Sequence, residues 1–211
     1  MSSAHKALLA AAATAALAAA LPAWAAPAGQ PAPPAQPQAQ TTLHKVRGFL
    51  PDLRFTLSGA QGKTYTQDAF KGKVVLLFFG YASCPDICPT TMAQLAQVMK
   101  RLGAQAGGVR ILFVSVDPHR DTPDRLQAYV NVFDSHAIGL TGTERQVADV
   151  ARRYRVAYQI EKPSGDNPDN YEVAHGRGIY IFDQQGRARL LASDSDSVEA
   201  LTDGVRGLLG G

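Results

Sequence analysis

Apolar positions along this chain follow three rhythms. Val74-Val75-Leu76-Leu77-Phe78-Phe79 is an unbroken apolar run, and Val109 to Val116, apolar except at Arg110 and Ser115, is a second hydrophobic stretch that ends at Asp117-Pro118. Runs of this length predict strands buried on both faces of a sheet. Alternation marks Arg54 to Leu57, which meets Lys63 to Thr66 across Gly59-Ala60-Gln61-Gly62 and predicts a β-hairpin. Helical spacing places Met92, Leu95, Val98, Met99 and Leu102 on one face of a helix over 91–102. The Met92, Leu95, Met99 stripe reads as core rather than as a methionine box for a metal.

Caps and turns set the remaining elements. Thr122 as N-cap with Pro123 in the first turn starts a helix that reaches Phe133, and Thr143 caps another from Glu144 to Tyr154. Short strands are predicted at 137–140 and 156–160, followed by a polar loop from Pro163 to Asn170. Residues 178–182 and 188–191 pair across the turn Asp183 to Arg187, and a closing helix covers 198–209. The order β-β-β-α-β-α-β-α-β-β-β-α predicts an α/β fold of thioredoxin-like architecture. It is a mixed sheet flanked by helices, with an N-terminal β-hairpin.

Only residues 42–211 carry this patterning. Residues 1–25 read as a secretory signal: Lys6, an Ala/Leu-rich run, Pro22, then the small-residue motif Ala23-Trp24-Ala25. The competing reading is a retained N-terminal anchor, since a bilayer span needs roughly 20 apolar residues. Residues 26–41 hold five prolines, four glutamines and no charge, which predicts an extended linker. The net charge is +3 and no Lys/Arg run exceeds two residues, so nucleic-acid binding is excluded for want of a basic stripe. An exported, periplasmic domain is expected, monomeric, soluble or tethered to the inner membrane by its N-terminus.

Both cysteines of the chain fall in Gly80-Tyr81-Ala82-Ser83-Cys84-Pro85-Asp86-Ile87-Cys88-Pro89. A disulfide closing so short a loop removes little chain entropy, so a structural staple is disfavoured and chemistry is indicated. Cys84 follows a buried strand and Cys88 lies near a helix start, where the dipole and free N–H groups stabilise a thiolate. Four positions of separation turn both sulfurs the same way, as a redox-active pair or as two legs of a soft-metal site. Asp86 between them is read as a helix N-cap or a neighbour of the metal, and Phe79 and Tyr81 as packing beside the site. Among the histidines, His175 is a candidate third ligand or a plain loop histidine.

Three blocks in order resemble the Sco/SenC family of copper-binding, thioredoxin-like proteins. They are Cys84-Pro85-Asp86-Ile87-Cys88-Pro89, Asp117-Pro118-x-Arg120-Asp121-Thr122-Pro123 and Tyr171-x-Val173-x-His175, with Gly139-Leu140-Thr141-Gly142 between the last two. The likeness covers about 43–209. It implies Cu(I)/Cu(II) held by Cys84, Cys88 and His175. It also implies delivery of copper to the binuclear copper site of cytochrome c oxidase, or reduction of that site's cysteines. The partners so implied are the oxidase's copper-site subunit, other copper chaperones and thiol–disulfide reductases. The rivals are a thiol–disulfide oxidoreductase using Cys84 and Cys88 without metal, and a peroxiredoxin-like redox sensor. Arg120 and Asp121 are read as structural, and Asp117-Pro118 as shaping the loop beside the site. The chain departs from the family pattern at Ser83, often histidine, and at Ala174-His175-Gly176, usually Asp-His-Ser. A carboxylate that would orient the imidazole is therefore missing.

Overall fold

The computed structural model describes residues 43–46, 48 and 50–210; the expected signal or anchor (1–25) and linker (26–41) lie outside the described residues. The all-apolar run becomes β4 (Val74–Gly80), whose seven residues are all buried, and the second run becomes β5 (Val109–Ser115). The two pair in parallel from Val74↔Val109 to Gly80↔Ser115, and β6 (Ala137–Leu140) extends the sheet in parallel beyond β5. Helix α1 (Ile87–Leu102) connects β4 to β5, and α2 (Pro123–Asn131) connects β5 to β6. Both crossovers step the same way across the sheet, so right-handedness places both helices on one face. Phe78 of β4, Phe113 of β5 and Tyr129 of α2 accordingly stack in sequence, with ring centroids 5.9 and 5.4 Å apart.

On the other edge β4 pairs antiparallel with β9 (Gly178–Phe182), and β9 with β10 (Ala188–Ser193). The sheet is completed by β1 (His44–Lys45), giving six strands in the order β1-β10-β9-β4-β5-β6. Helix α4 (Val198–Leu209) packs on α1. Helix α3 (Glu144–Arg153) leads into Tyr154, whose ring meets Phe79, Tyr180 and Phe182 across the opposite face. Met92, Leu95 and Met99 are core, as expected. Thr122 and Thr143 accept hydrogen bonds from the amides of Arg125 and Gln146, and Gln146 closes a full capping box. The N-terminal hairpin forms as β2 (Thr56–Ser58) and β3 (Thr64–Thr66), paired as a separate two-stranded sheet.

The structure departs from the sequence reading at two short strands. A second small hairpin joins β7 (Tyr158–Ile160) to β8 (Val173–His175), so His175 ends a strand rather than sitting in a loop. The two-residue β1 was also not anticipated; it exists through its pairing with β10.

Candidate metal centre

The end of β4 supplies the floor of the site. Gly80 permits the closest approach: a Cβ there would lie 2.7 Å from Cys88 Sγ and 3.0 Å from the Phe113 ring. The chain then leaves the sheet through Tyr81 to Asp86 and enters α1, whose second residue is Cys88. Cys88 is fully buried and Cys84 half-buried; both are free thiols. The Cys88 amide donates to Cys84 Sγ at 3.4 Å, so the first cysteine satisfies one of the orphan donors at the helix start. Asp86 occupies the N-cap position without any side-chain capping bond, which corrects the reading of Asp86 as the cap.

The third side chain arrives from β8. His175 Nε2 lies 3.4 Å from Cys88 Sγ, and the ligand atoms of Cys84, Cys88 and His175 all fall within 4.8 Å of one another. Nδ1 of the ring is 3.0 Å from the Gly176 carbonyl oxygen. A carbonyl only accepts, so in the neutral ring Nδ1 carries the proton and Nε2 turns its lone pair to the sulfurs. The main chain thus does the orienting expected of a neighbouring carboxylate. The imidazole is further bracketed by Tyr81 and Phe78, whose rings meet it edge-on at 5.9 and 6.1 Å. Phe79 points to the far face, so the aromatic beside Tyr81 is Phe78 and not Phe79 as expected. A cleft of about 400 Å³, lined by Cys84, Ile87, Val173 and His175 among others, opens beside the cluster.

The two sulfurs are electrostatically unequal. Hydrogen bonding from the Cys88 thiol holds Cys84 far below the ordinary thiol range; the amides of Cys88 and Asp86 add to this, against the opposing effect of burial. Cys88 is pushed far up, because its proton is shared with Cys84 and because it is buried. Cys84 is therefore the thiolate and Cys88 the protonated partner beneath it. Close by, Asp121 is buried; its Oδ2 accepts from Ser115 Oγ at 2.7 Å and from the Ala82 amide at 3.0 Å, and burial raises its pKa.

The other histidines among the described residues take no part. His119 faces Asp169 at 3.4 Å, His136 faces Asp134 at 2.7 Å, and His44 lies in β1. The buried ion pair of Arg120 is made with Asp117, while Asp121 bonds Ser115 and Ala82. Gly80 was missed in the sequence, although a glycine ending an all-apolar strand next to a cysteine motif signals close approach.

A thioredoxin-like α/β domain with a Cys-Cys-His cluster at a strand-to-helix junction is the class that fold and site define. The family model described as SCO1/SenC matches residues 49–210, and the chain belongs to that family. The mitochondrial SCO2 homologue of Bos taurus is 39% identical over 154 residues, 72% of this chain and 57% of that protein. The chain thus spans little more than half the length of that curated relative. Among solved structures, ScoI of Bradyrhizobium japonicum with copper bound is 35% identical with a TM-score of 0.68, covering 75% of this chain and 99% of that one. The apo Sco1 of Thermus thermophilus is 34% identical with a TM-score of 0.69, covering 82% and 100% respectively.

Proposed function

We propose that this domain is a copper chaperone which holds one copper ion between Cys84, Cys88 and His175 and serves the assembly of cytochrome c oxidase. The observation that carries the reading is the convergence of two sulfurs and one imidazole nitrogen within 4.8 Å. Two soft thiolates and an imidazole suit three-coordinate Cu(I), and the open cleft leaves room for a further ligand on Cu(II). A three-point site with one side open also permits release by ligand exchange to a partner's own sulfurs. The copper-bound ScoI relative supports the choice of metal. We assign the partner as the copper-site subunit of the oxidase and the location as the exported side of the membrane. Among the described residues no helix is long and apolar enough to cross a membrane.

The test is copper retention after gel filtration of the reduced protein, compared with His175→Ala. One ion per chain in the wild type, with strongly weakened binding in the variant, is expected. A wild type that retains no copper overturns the reading.

A second role is favoured by the inequality of the sulfurs. The half-buried but accessible Cys84 thiolate attacks one sulfur of a partner disulfide, forming a mixed disulfide and expelling the partner's other sulfur as thiolate. Cys88 then passes its proton to that expelled thiolate and displaces the first partner sulfur. This leaves a Cys84–Cys88 disulfide and a reduced partner dithiol. The oxidised pair has no thiolate left to offer a metal, so the two activities alternate on one site.

A further inference from the structure

We propose that Arg120 is a positioning residue that sets His175 against the two sulfurs, and that the segment Asp117 to Arg125 buckles the two halves of the site together. The proposal rests on His175 being a metal ligand. Two side chains of the segment reach the cysteine loop: Asp121 accepts from the Ala82 amide at 3.0 Å, and Arg125 Nη2 donates to Ser83 Oγ at 2.7 Å. Two others reach the chain that leads to His175. Arg120 Nη1 donates to the carbonyl oxygens of Asp169 and Tyr171, each at 2.8 Å. Asp117 Oδ1 accepts from the Tyr171 hydroxyl at 2.8 Å.

The same guanidinium binds the two pairs into one unit. Its Nε donates to Asp117 Oδ2, in an ion pair whose side chains are 8% and 0% exposed. Its Cζ lies 3.6 Å from the Tyr171 ring centroid and 5.5 Å from that of Tyr81, the ring that meets His175 edge-on. The Arg120 carbonyl oxygen accepts from Arg125 Nη1 at 3.0 Å, tying the histidine-side arm to the cysteine-side arm.

The need for such a device follows from β8. Among the described residues its one strand partner is the three-residue β7, and a lone two-stranded hairpin is marginal in water. Tyr171 stands two residues before that strand, so fixing Tyr171 fixes the entry of β8 and with it the reach of His175. Arginine suits the task because its planar fork serves a carboxylate, two carbonyls and two aromatic faces at once; a lysine ammonium cannot.

Arg120→Ala would strand the buried Asp117 charge and endanger folding. The test therefore uses Arg120→Lys, which keeps the charge, and Tyr171→Phe, which removes one hydroxyl. Amide hydrogen exchange on the reduced, copper-free protein reads residues 169–176, with β5 as the internal control. Nitrogen hyperfine structure in the Cu(II) electron paramagnetic resonance spectrum reads the imidazole.

Arg120→Lys, and Tyr171→Phe less so, should exchange faster at 169–176 with β5 unchanged. Each should shift the Cu(II) spectrum towards that of His175→Ala and weaken copper binding on the order of 10- to 100-fold. A merely structural role would lower the Tm while leaving the imidazole signature intact. Unchanged exchange overturns the proposal, and so does faster exchange with a wild-type spectrum. A His175→Ala protein that keeps the wild-type spectrum overturns the ligand reading instead. Exchange at 169–176 then judges separately whether Arg120 holds that segment.

Discussion

Cys88 sits beneath the end of a strand whose seven residues are all buried, whereas His175 ends a three-residue strand whose middle residue is exposed. The cysteine half shares the main core: Gly80 lies against Cys88 and Phe113, and the loop is tied down by Asp121. The histidine half is a peripheral hairpin tied to the body by side-chain bonds and two aromatic edges. Segments with few buried apolar contacts open at lower free energy than a core strand does. For the proposed copper-holding role this division would let one half keep the sulfurs in register while the other yields on release.

The strongest way to break the contrast is at Gly80. Gly80→Ala forces a methyl into Cys88 Sγ and Phe113, and we expect a loss of about 1–3 kcal/mol in urea unfolding, with impaired copper binding. Equal stability to the wild type would show that the cysteine half is softer than described. The second test is pH. The folded value of Cys84 lies below the ordinary 9.0, so its thiolate stabilises the fold fully above that pH. The contribution is lost as pH falls towards the depressed folded value. The stability gap between reduced wild type and Cys84→Ser should shrink steadily as pH falls below 9.0. Iodoacetamide should label Cys84 well below neutral alkylation pH and spare Cys88; equal labelling of both would contradict the assigned inequality.

Smaller effects are expected on the histidine side. Ala174→Asp restores the family's usual carboxylate at an exposed position, but Nδ1 of His175 already donates to the Gly176 carbonyl. Copper affinity measured by chelator competition should therefore change less than in Arg120→Lys. Gly176→Ala is the mildest: a methyl there meets nothing closer than Val156 Cγ1 at 4.0 Å, so stability should stay within about 0.5 kcal/mol. A large loss in either variant would mean that the hairpin is as tightly packed as the cysteine half.

The same contrast explains what could be read from the sequence. Elements of the main sheet were legible because their signals are local: the apolar runs of β4 and β5, and the caps Thr122 and Thr143. β8 was not, because Val173-Ala174-His175 is too short to show a period and finds its partner only across a twelve-residue loop. Phe78 and Phe79 could not be told apart, since a run buried on both faces carries no alternation to say which side α1 covers. Cys84, Cys88 and His175 were legible through motif and resemblance, but no motif reveals that a sulfur fills the position expected of Asp86. Nor does spacing show that the Gly176 carbonyl replaces a carboxylate.

The bond from the Cys88 amide to Cys84 Sγ makes the protein its own gauge. That N–H faces whatever Cys84 becomes: a bare thiolate, a half of a disulfide or an atom sharing its electrons with a metal. A single backbone nitrogen resonance, followed by NMR through loading, oxidation and encounter with a partner, would read out the state of the sulfur without any attached label.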